Sequence, residues 1–147
     1  MTTELSAKCT LWVNRLLFLL VAGLVFLLPG ILEFYNTIRP LAQSGRTAIL
    51  IGYYCCTPLV LWGLWCVDRL LKNILARQVF VTGNVRRVRH IRWCCAGVSL
   101  VCLPASFFYP PLVFLVIIMA FLTLIVSVVE NALAAAVEIR EENDLTV

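Results

Sequence analysis

Charged residues are scarce in this chain: Asp, Glu, Lys and Arg make up 14% of it, while 62% is hydrophobic. Soluble domains carry roughly 25% charged and about 45–50% apolar residues, because polar side chains must cover their surface. A bilayer removes that requirement, since lipid solvates apolar side chains. The scarcity of charge therefore excludes a typical soluble domain and indicates a single membrane domain.

Residues that carry chemistry are also few. His90 is the only histidine, and the cysteines include no C-x-x-C pair. No nucleophile–base pair, metal-ligand cluster or phosphate-binding glycine loop can be assembled from the remaining side chains. We therefore expect a protein that is not an enzyme, with no cofactor and no metal site, and we expect His90 at the head-group boundary.

Three charge-free stretches, 16–32, 47–67 and 93–129, mark the membrane crossings. A straight helix over the last one would be about 55 Å long, against a hydrocarbon core of about 30 Å. Pro110 and Pro111 divide it, because proline lacks the N–H and disfavours helix in the residue before it. The predicted fold class is all-α integral membrane: one domain, 1–147, with four transmembrane helices at about 11–32, 47–75, 85–108 and 112–140.

The first crossing could also be a cleaved signal peptide, since Lys8 and Arg15 form a basic leader. Its apolar run is longer than usual for that role, and no A-x-A site follows Leu32. We favour an uncleaved first helix.

The distribution of positive charge predicts the orientation. Only Arg39 and Arg46 of the twelve Lys and Arg residues lie in the two loops predicted at 33–46 and 106–111. Because positive residues concentrate on the cytoplasmic side, both termini and the middle loop are expected there. The predicted location is the bacterial inner membrane, with a helical hairpin between helices 2 and 3 extending into the cytoplasm.

The run VRRVRHIRW, 85–93, lies on that hairpin and leads into the third crossing. Orientation and contact with anionic lipid head groups explain its charges. A protein partner and nucleic acid are the alternatives, but no nucleic-acid-binding motif accompanies the run. We expect no direct nucleic-acid binding. Thr82 or Asn84 is expected to cap the start of this helix.

None of the seven cysteines lies in a predicted external loop, so no disulfide framework is indicated. In an antiparallel hairpin Cys66 would be level with Cys94 and Cys95, and Cys56 with Cys102. That register suits a thiol pair or a soft metal ion. Packing, with cysteine as a small apolar residue between helices, is the favoured interpretation.

Glu130 lies about 10 Å inside the predicted cytoplasmic end of the fourth helix. Acids at that depth usually face the protein interior and are paired. A structural pair with Arg15 of the first helix is the favoured interpretation. The alternatives are an ion or proton path through Glu130 and a solvated carboxylate near the interface.

The C-terminal segment EIREENDLTV is acidic and leaves the fourth helix beside the basic hairpin. We expect it to fold back against Arg86, Arg87 or Arg89. Each such exposed pair contributes only about 0–1 kcal/mol, so the contact could be switchable.

Two motifs resemble a bacterial domain-of-unknown-function family of small four-helix membrane proteins. In that family a pattern like LxxI…G…VFxxxNVxRLRxIG precedes the third helix, and EENDLTI ends the chain. Two positions depart from the pattern. Gln78 stands where a glycine and an acid are more usual, and Val88 stands where a leucine is more usual. The residues that match are Leu71, Ile74, Val79, Phe80, Asn84, Val85, Arg87, Arg89, Ile91 and 141–146.

The resemblance implies no enzymatic activity. Members of the family are often encoded beside a small helix-turn-helix regulator, which implies a membrane partner, sensor or sequestering site for a transcription factor. We therefore expect a non-enzymatic regulatory protein that binds such a partner through the basic hairpin and acidic C-terminus. The candidate partner-binding residues are Phe80, Asn84, Arg86, Arg87, Arg89, Glu141, Glu142, Asn143 and Asp144.

Two other functions remain open. An oligomeric transporter or channel could use Glu130, with Ala132 and Ala136 as a small-residue contact between copies. A thiol redox sensor would form a crosslink between Cys66 and Cys94 or Cys95.

Overall fold

The computed structural model describes residues 2–38, 40 and 42–146, with side chains described from Leu5 onward. Four helices account for almost all of these residues: α1 Thr2–Ile38, α2 Gln43–Leu75, α3 Thr82–Phe108 and α4 Leu112–Leu145. Each helix is long and apolar enough to cross a membrane. No strand occurs among the described residues. This confirms the predicted fold class, all-α with four membrane-length helices.

Several helix ends differ from the sequence-based bounds. The predicted first helix, 11–32, is extended at both ends to Thr2–Ile38, and the fourth runs to Leu145 instead of 140. The predicted loop 33–46 is therefore mostly helical, and Arg39 lies outside the described residues. The sequence reasoning ended helices where charge begins, but charge marks the membrane boundary and does not interrupt backbone hydrogen bonding. Pro110 and Pro111 do separate α3 from α4, as predicted.

Neighbouring helices are antiparallel and pack in chain order. The Asn14 side chain, in the first half of α1, donates to the Leu64 carbonyl in the second half of α2, at 3.0 Å. The Ser99 hydroxyl on α3 donates to the Val116 carbonyl on α4, at 3.3 Å. Among the described residues, α1 approaches only α2 to within 8 Å between Cα atoms. The described helices therefore lie side by side in chain order, with α1 at one edge.

Small residues bring α2, α3 and α4 together. Cys56, Val98 and Cys102 form the buried centre of this contact, and Met119 of α4 packs against them. The Sγ atoms of Cys56 and Cys102 lie 3.7 Å apart, in the register predicted for the hairpin. Gly97 allows a close approach, since a Cβ there would lie 3.1 Å from Leu59 Cδ1.

Large apolar side chains cover the outer surface. Phe26 of α1 is 86% exposed and Phe107 of α3 is 80% exposed. In the most apolar stretch of α4 no residue is buried inside the protein. Water would make this surface unfavourable, whereas lipid tails solvate it.

Candidate functional site at the basic end

Most of the positive charge collects at one end of the molecule. Because the helices alternate in direction, this end contains the start of α1, the end of α2, the start of α3 and the end of α4. We call it the basic end; it includes Arg15, the region from Asp68 to Arg92, and residues 130–146. We call the connection between α2 and α3, residues 76–81, the tip.

Asn84 organises the tip from the inside. Its side chain is fully buried, and its Nδ2 donates to the backbone carbonyls of Gln78 and Val79, both at 2.8 Å. Its Oδ1 accepts from Asn73 Nδ2 at 2.8 Å and from Arg87 Nη1 at 2.9 Å. One amide thus joins the end of α2, the tip and the first turn of α3.

The end of α2 has the hydrogen bonds of a Schellman motif. Gln78 N–H donates to the Asn73 carbonyl at 2.9 Å, and Arg77 N–H donates to the Ile74 carbonyl at 3.0 Å. Arg77 has a φ of 59°, in the left-handed region that glycine adopts most easily. A non-glycine residue here is strained, so the remaining contacts of the tip must hold it in place.

The start of α3 differs from the prediction. Val81 occupies the N-cap position, and no side chain caps the helix. Asn84, expected as a cap, lies inside the helix and turns its side chain toward the tip carbonyls. As the third residue of α3, Asn84 pairs with the tip carbonyls instead of with the N–H groups of the first turn.

Glu130 is buried, but its partner is not the predicted one. Its side chain is 5% exposed, and its Oε1 accepts from Arg89 Nε at 2.7 Å. Arg92 Nη1 lies 3.0 Å from Oε2. The expectation that an acid at this depth faces the interior and is paired agrees with this geometry. The Glu130–Arg15 pair was wrong, because α1 and α4 do not meet in the described residues.

Arg15 instead pairs with α2. Its Nε lies 3.4 Å from Asp68 Oδ1, and Lys72 Nζ lies 2.6 Å from Asp68 Oδ2. Sequence reasoning did not single out Asp68. A lone acid among cations at the end of a charge-free stretch was the signal that could have identified it.

The C-terminal segment continues α4 instead of folding back. It meets the tip through Arg140, whose Nη1 donates to the Phe80 carbonyl at 3.4 Å. Glu141 Oε1 accepts from the Thr82 hydroxyl at 3.3 Å. For residues 138–146 the predicted contacts with Arg86, Arg87 or Arg89 were wrong. Arg87 and Arg89 bind Asn84 and Glu130, and Arg86 lines a cleft to which 138–146 contribute no residue. Val147 lies outside the described residues.

A cleft of about 410 Å³ lies where the tip and the end of α4 meet. Phe80 and Val81 line it on one side and remain 46% and 41% exposed. Glu141 and Asp144 line the α4 side. We call this the tip cleft; it is lined by Arg77, Gln78, Phe80, Val81, Arg140, Glu141 and Asp144.

The structure divides the candidate partner-binding residues. Phe80, Glu141 and Asp144 meet in the tip cleft, while Arg86 and Arg89 line a neighbouring cleft of about 320 Å³. Glu142 is exposed, and the backbone carbonyls of Glu142 and Asn143 accept from the Thr146 hydroxyl, at 2.7 and 3.2 Å. Asn84 is fully buried beneath the tip, and its role in binding a partner stays a prediction. Within residues 2–38, 40 and 42–146, no three His, Cys, Asp or Glu side chains could hold a metal ion.

The fold and surface define a multi-pass membrane protein with four membrane-length helices. Residues 33–147 match a family described as "Protein of unknown function (DUF2975)". The chain belongs to this family, because the match covers well over half of its length. No curated protein and no solved structure matches the chain.

Proposed function

We propose that this protein is a non-enzymatic docking site in the bacterial inner membrane for a small cytoplasmic transcription regulator. The regulator would bind the tip cleft. This assigns the basic end to the cytoplasm, as the concentration of Lys and Arg there favours.

One observation carries the proposal: Phe80 and Val81 are exposed well outside the apolar part of the helices. The charge-free stretch that includes α3 begins at Trp93, so the tip projects on the order of 15–20 Å beyond it. There lipid tails cannot cover apolar side chains, and exposed apolar groups next to charged ones are typical of protein-binding sites.

Charge in the tip cleft supports a polar partner surface. Arg77 and Arg140 lie in the cleft together with Glu141 and Asp144, so both signs are present within one site. Mixed charge around an apolar centre favours a partner with complementary charges over a uniformly charged polymer such as DNA. The family resemblance suggests the kind of partner, since it implies a gene encoded beside a small helix-turn-helix regulator.

An affinity purification tests the proposal. The full-length tagged protein, extracted in mild detergent, is compared with the double variant Glu141→Lys/Asp144→Lys, which reverses the acidic side of the cleft. The control, Glu33→Lys/Glu138→Lys, makes the same change in charge at exposed positions that lie outside the cleft and are not candidate partner-binding residues.

We expect the wild type and the control to retain a small DNA-binding protein, identified by mass spectrometry, and the cleft variant to lose it. The purified regulator should then bind the wild type directly. Equal retention by both double variants, or no regulator on the wild type, would contradict the proposal.

A further inference from the structure

A second cleft, of about 460 Å³, lies between α1 and α2 at the basic end, away from the tip. Phe18 and Leu19 of α1 and Trp65 of α2 form its apolar wall. Leu64 and Asn14 also line the cleft. The charged residues that line the remainder of it lie within five residues of the charge-free stretches 16–32 and 47–67. The cleft is therefore divided into an apolar half and a polar half at the membrane boundary.

The polar half carries an excess of positive charge. Arg15, Arg69 and Lys72 face one acid, Asp68, which holds Arg15 and Lys72 at 3.4 and 2.6 Å. The Arg69 guanidinium lies 5.8 Å from the centre of the Trp65 ring. Three cations against one carboxylate leave two positive charges without a matching acid in the cleft.

These cations keep donors for a ligand. The side chains of Arg15 and Lys72 are 53% and 47% exposed although both contact Asp68. A guanidinium has five N–H donors and an ammonium three, so one carboxylate cannot occupy them all. Phosphate oxygens are the acceptors that such groups bind best.

The apolar half opens sideways toward the bilayer. Leu19 is 72% exposed and Trp65 is 57% exposed. In the part of the chain that the structure describes, α1 has only α2 as a neighbour, so no third helix covers the cleft. A molecule in the membrane could enter from the side without any helix moving.

We propose that this cleft binds one anionic phospholipid, with its phosphodiester against the three cations and an acyl chain along the apolar wall. A zwitterionic phospholipid fits less well, because its own cation would add to the excess positive charge. The site is independent of the tip cleft, so either assignment can fail alone.

Native mass spectrometry of the full-length protein in detergent tests this assignment. The protein is titrated with phosphatidylglycerol and with phosphatidylcholine of the same acyl chains. The cleft variant is Arg69→Gln/Lys72→Gln. The control, Lys8→Gln/Arg86→Gln, removes two exposed cations of the basic end that do not line this cleft.

We expect one phosphatidylglycerol to bind the wild type and the control in preference to phosphatidylcholine. The cleft variant should bind it roughly 25-fold more weakly, at about fivefold for each cation removed. A charge-conserving variant, Arg69→Lys/Lys72→Arg, should retain binding. Circular dichroism identifies any variant that has lost its helices.

Four results would overturn the assignment. The first is equal binding of both lipids by the wild type, and the second is equal loss in the cleft variant and the control. The third is displacement of the lipid by millimolar inorganic phosphate, which would make the cleft a site for a free anion. Loss of binding in a charge-conserving variant that remains helical would likewise count against it.

Discussion

A single buried asparagine holds the tip together. Asn84 makes four side-chain hydrogen bonds, to two backbone carbonyls and two neighbouring side chains, without any exposure to solvent. Removing the amide would break all four bonds, and each lost bond costs about 0.5–1.5 kcal/mol. Water compensates in part, because Gln78 is exposed and Asn73 and Val79 are half-buried. Asn84 therefore stabilises, from inside the fold, the surface that contains Phe80.

Asn84→Ala should lower the free energy of unfolding by about 2–4 kcal/mol, more than one lost hydrogen bond would, because several partners lose their bonds together. Thermal unfolding in detergent measures this. Asn131→Ala, at an exposed position of α4, is the control and should change stability by less than about 0.5 kcal/mol. A similar small effect at both positions would contradict the role assigned to Asn84.

Changing Glu130 distinguishes a structural role of this residue from a role in transport. Its burial between Arg89 and Arg92 predicts that Glu130→Gln destabilises the protein by about 1–3 kcal/mol, since two cations lose their counter-charge. Arg89 is 57% exposed, so water compensates in part. Glu138→Gln, at an exposed position of the same helix, is the control.

The same pair of variants tests transport in liposomes. We expect no proton flux that depends on Glu130. A flux present in the wild type and in Glu138→Gln, but lost in a stable Glu130→Gln protein, would favour the transporter.

α2 ends with Arg77 at a left-handed position where glycine is the preferred residue. Arg77 takes the left-handed conformation that closes the Schellman motif. That conformation costs a non-glycine residue about 1–2 kcal/mol. Arg77→Gly and Arg77→Ala both remove the side chain, so Arg77→Gly should have the higher free energy of unfolding, by about 1 kcal/mol. At position 76, where φ is −77°, Ala76→Gly should instead lower the free energy of unfolding by about 0.5–1 kcal/mol relative to the wild type. Chemical unfolding of the three variants measures these differences, and an Arg77→Gly protein no more stable than Arg77→Ala would refute this account.

The contact between α2 and α3 depends on a glycine. Gly97→Leu should destabilise the protein by about 1–3 kcal/mol, since even a Cβ would lie 3.1 Å from Leu59 Cδ1. Gly23→Leu, on α1 with nothing within 4 Å of its Cβ position, is the matched control and should be neutral or stabilising. Thermal unfolding of the two variants compares them directly, and equal tolerance would mean that the helices are farther apart than in this structure.

The orientation of the whole molecule can be tested without knowing a partner. A reporter fused after Val147 and a tag inserted at Gly83 should both be found in the cytoplasm, because the basic end carries most of the Lys and Arg. A reporter inserted before Gln43 should be found outside and serves as the control. Labelling of the Gly83 tag from outside intact cells would invalidate the proposed docking site.

Charge-free stretches and the Pro110–Pro111 break were enough to predict four helices, because crossing a bilayer constrains length and composition more strongly than folding in water does. The same reasoning placed the helix ends less well at α1 and α4, where helix continues past the charges. It also predicted that Glu130 is buried, which follows from spacing along a single helix. The close approach of Cys56 and Cys102 follows from counting residues along one antiparallel hairpin.

The amino-acid sequence by itself determined that this chain has four membrane-length helices, with positive charge gathered at one end. Only the tertiary structure decided which charges pair: Glu130 with Arg89 and Arg92, and Arg15 with Asp68. The physical reason is that lipid, unlike water, gives apolar helices little drive to close into a compact bundle, so neighbours are set by local packing. The depth of a residue in the membrane can be counted along the sequence. Which helix lies next to that residue cannot be read from the sequence.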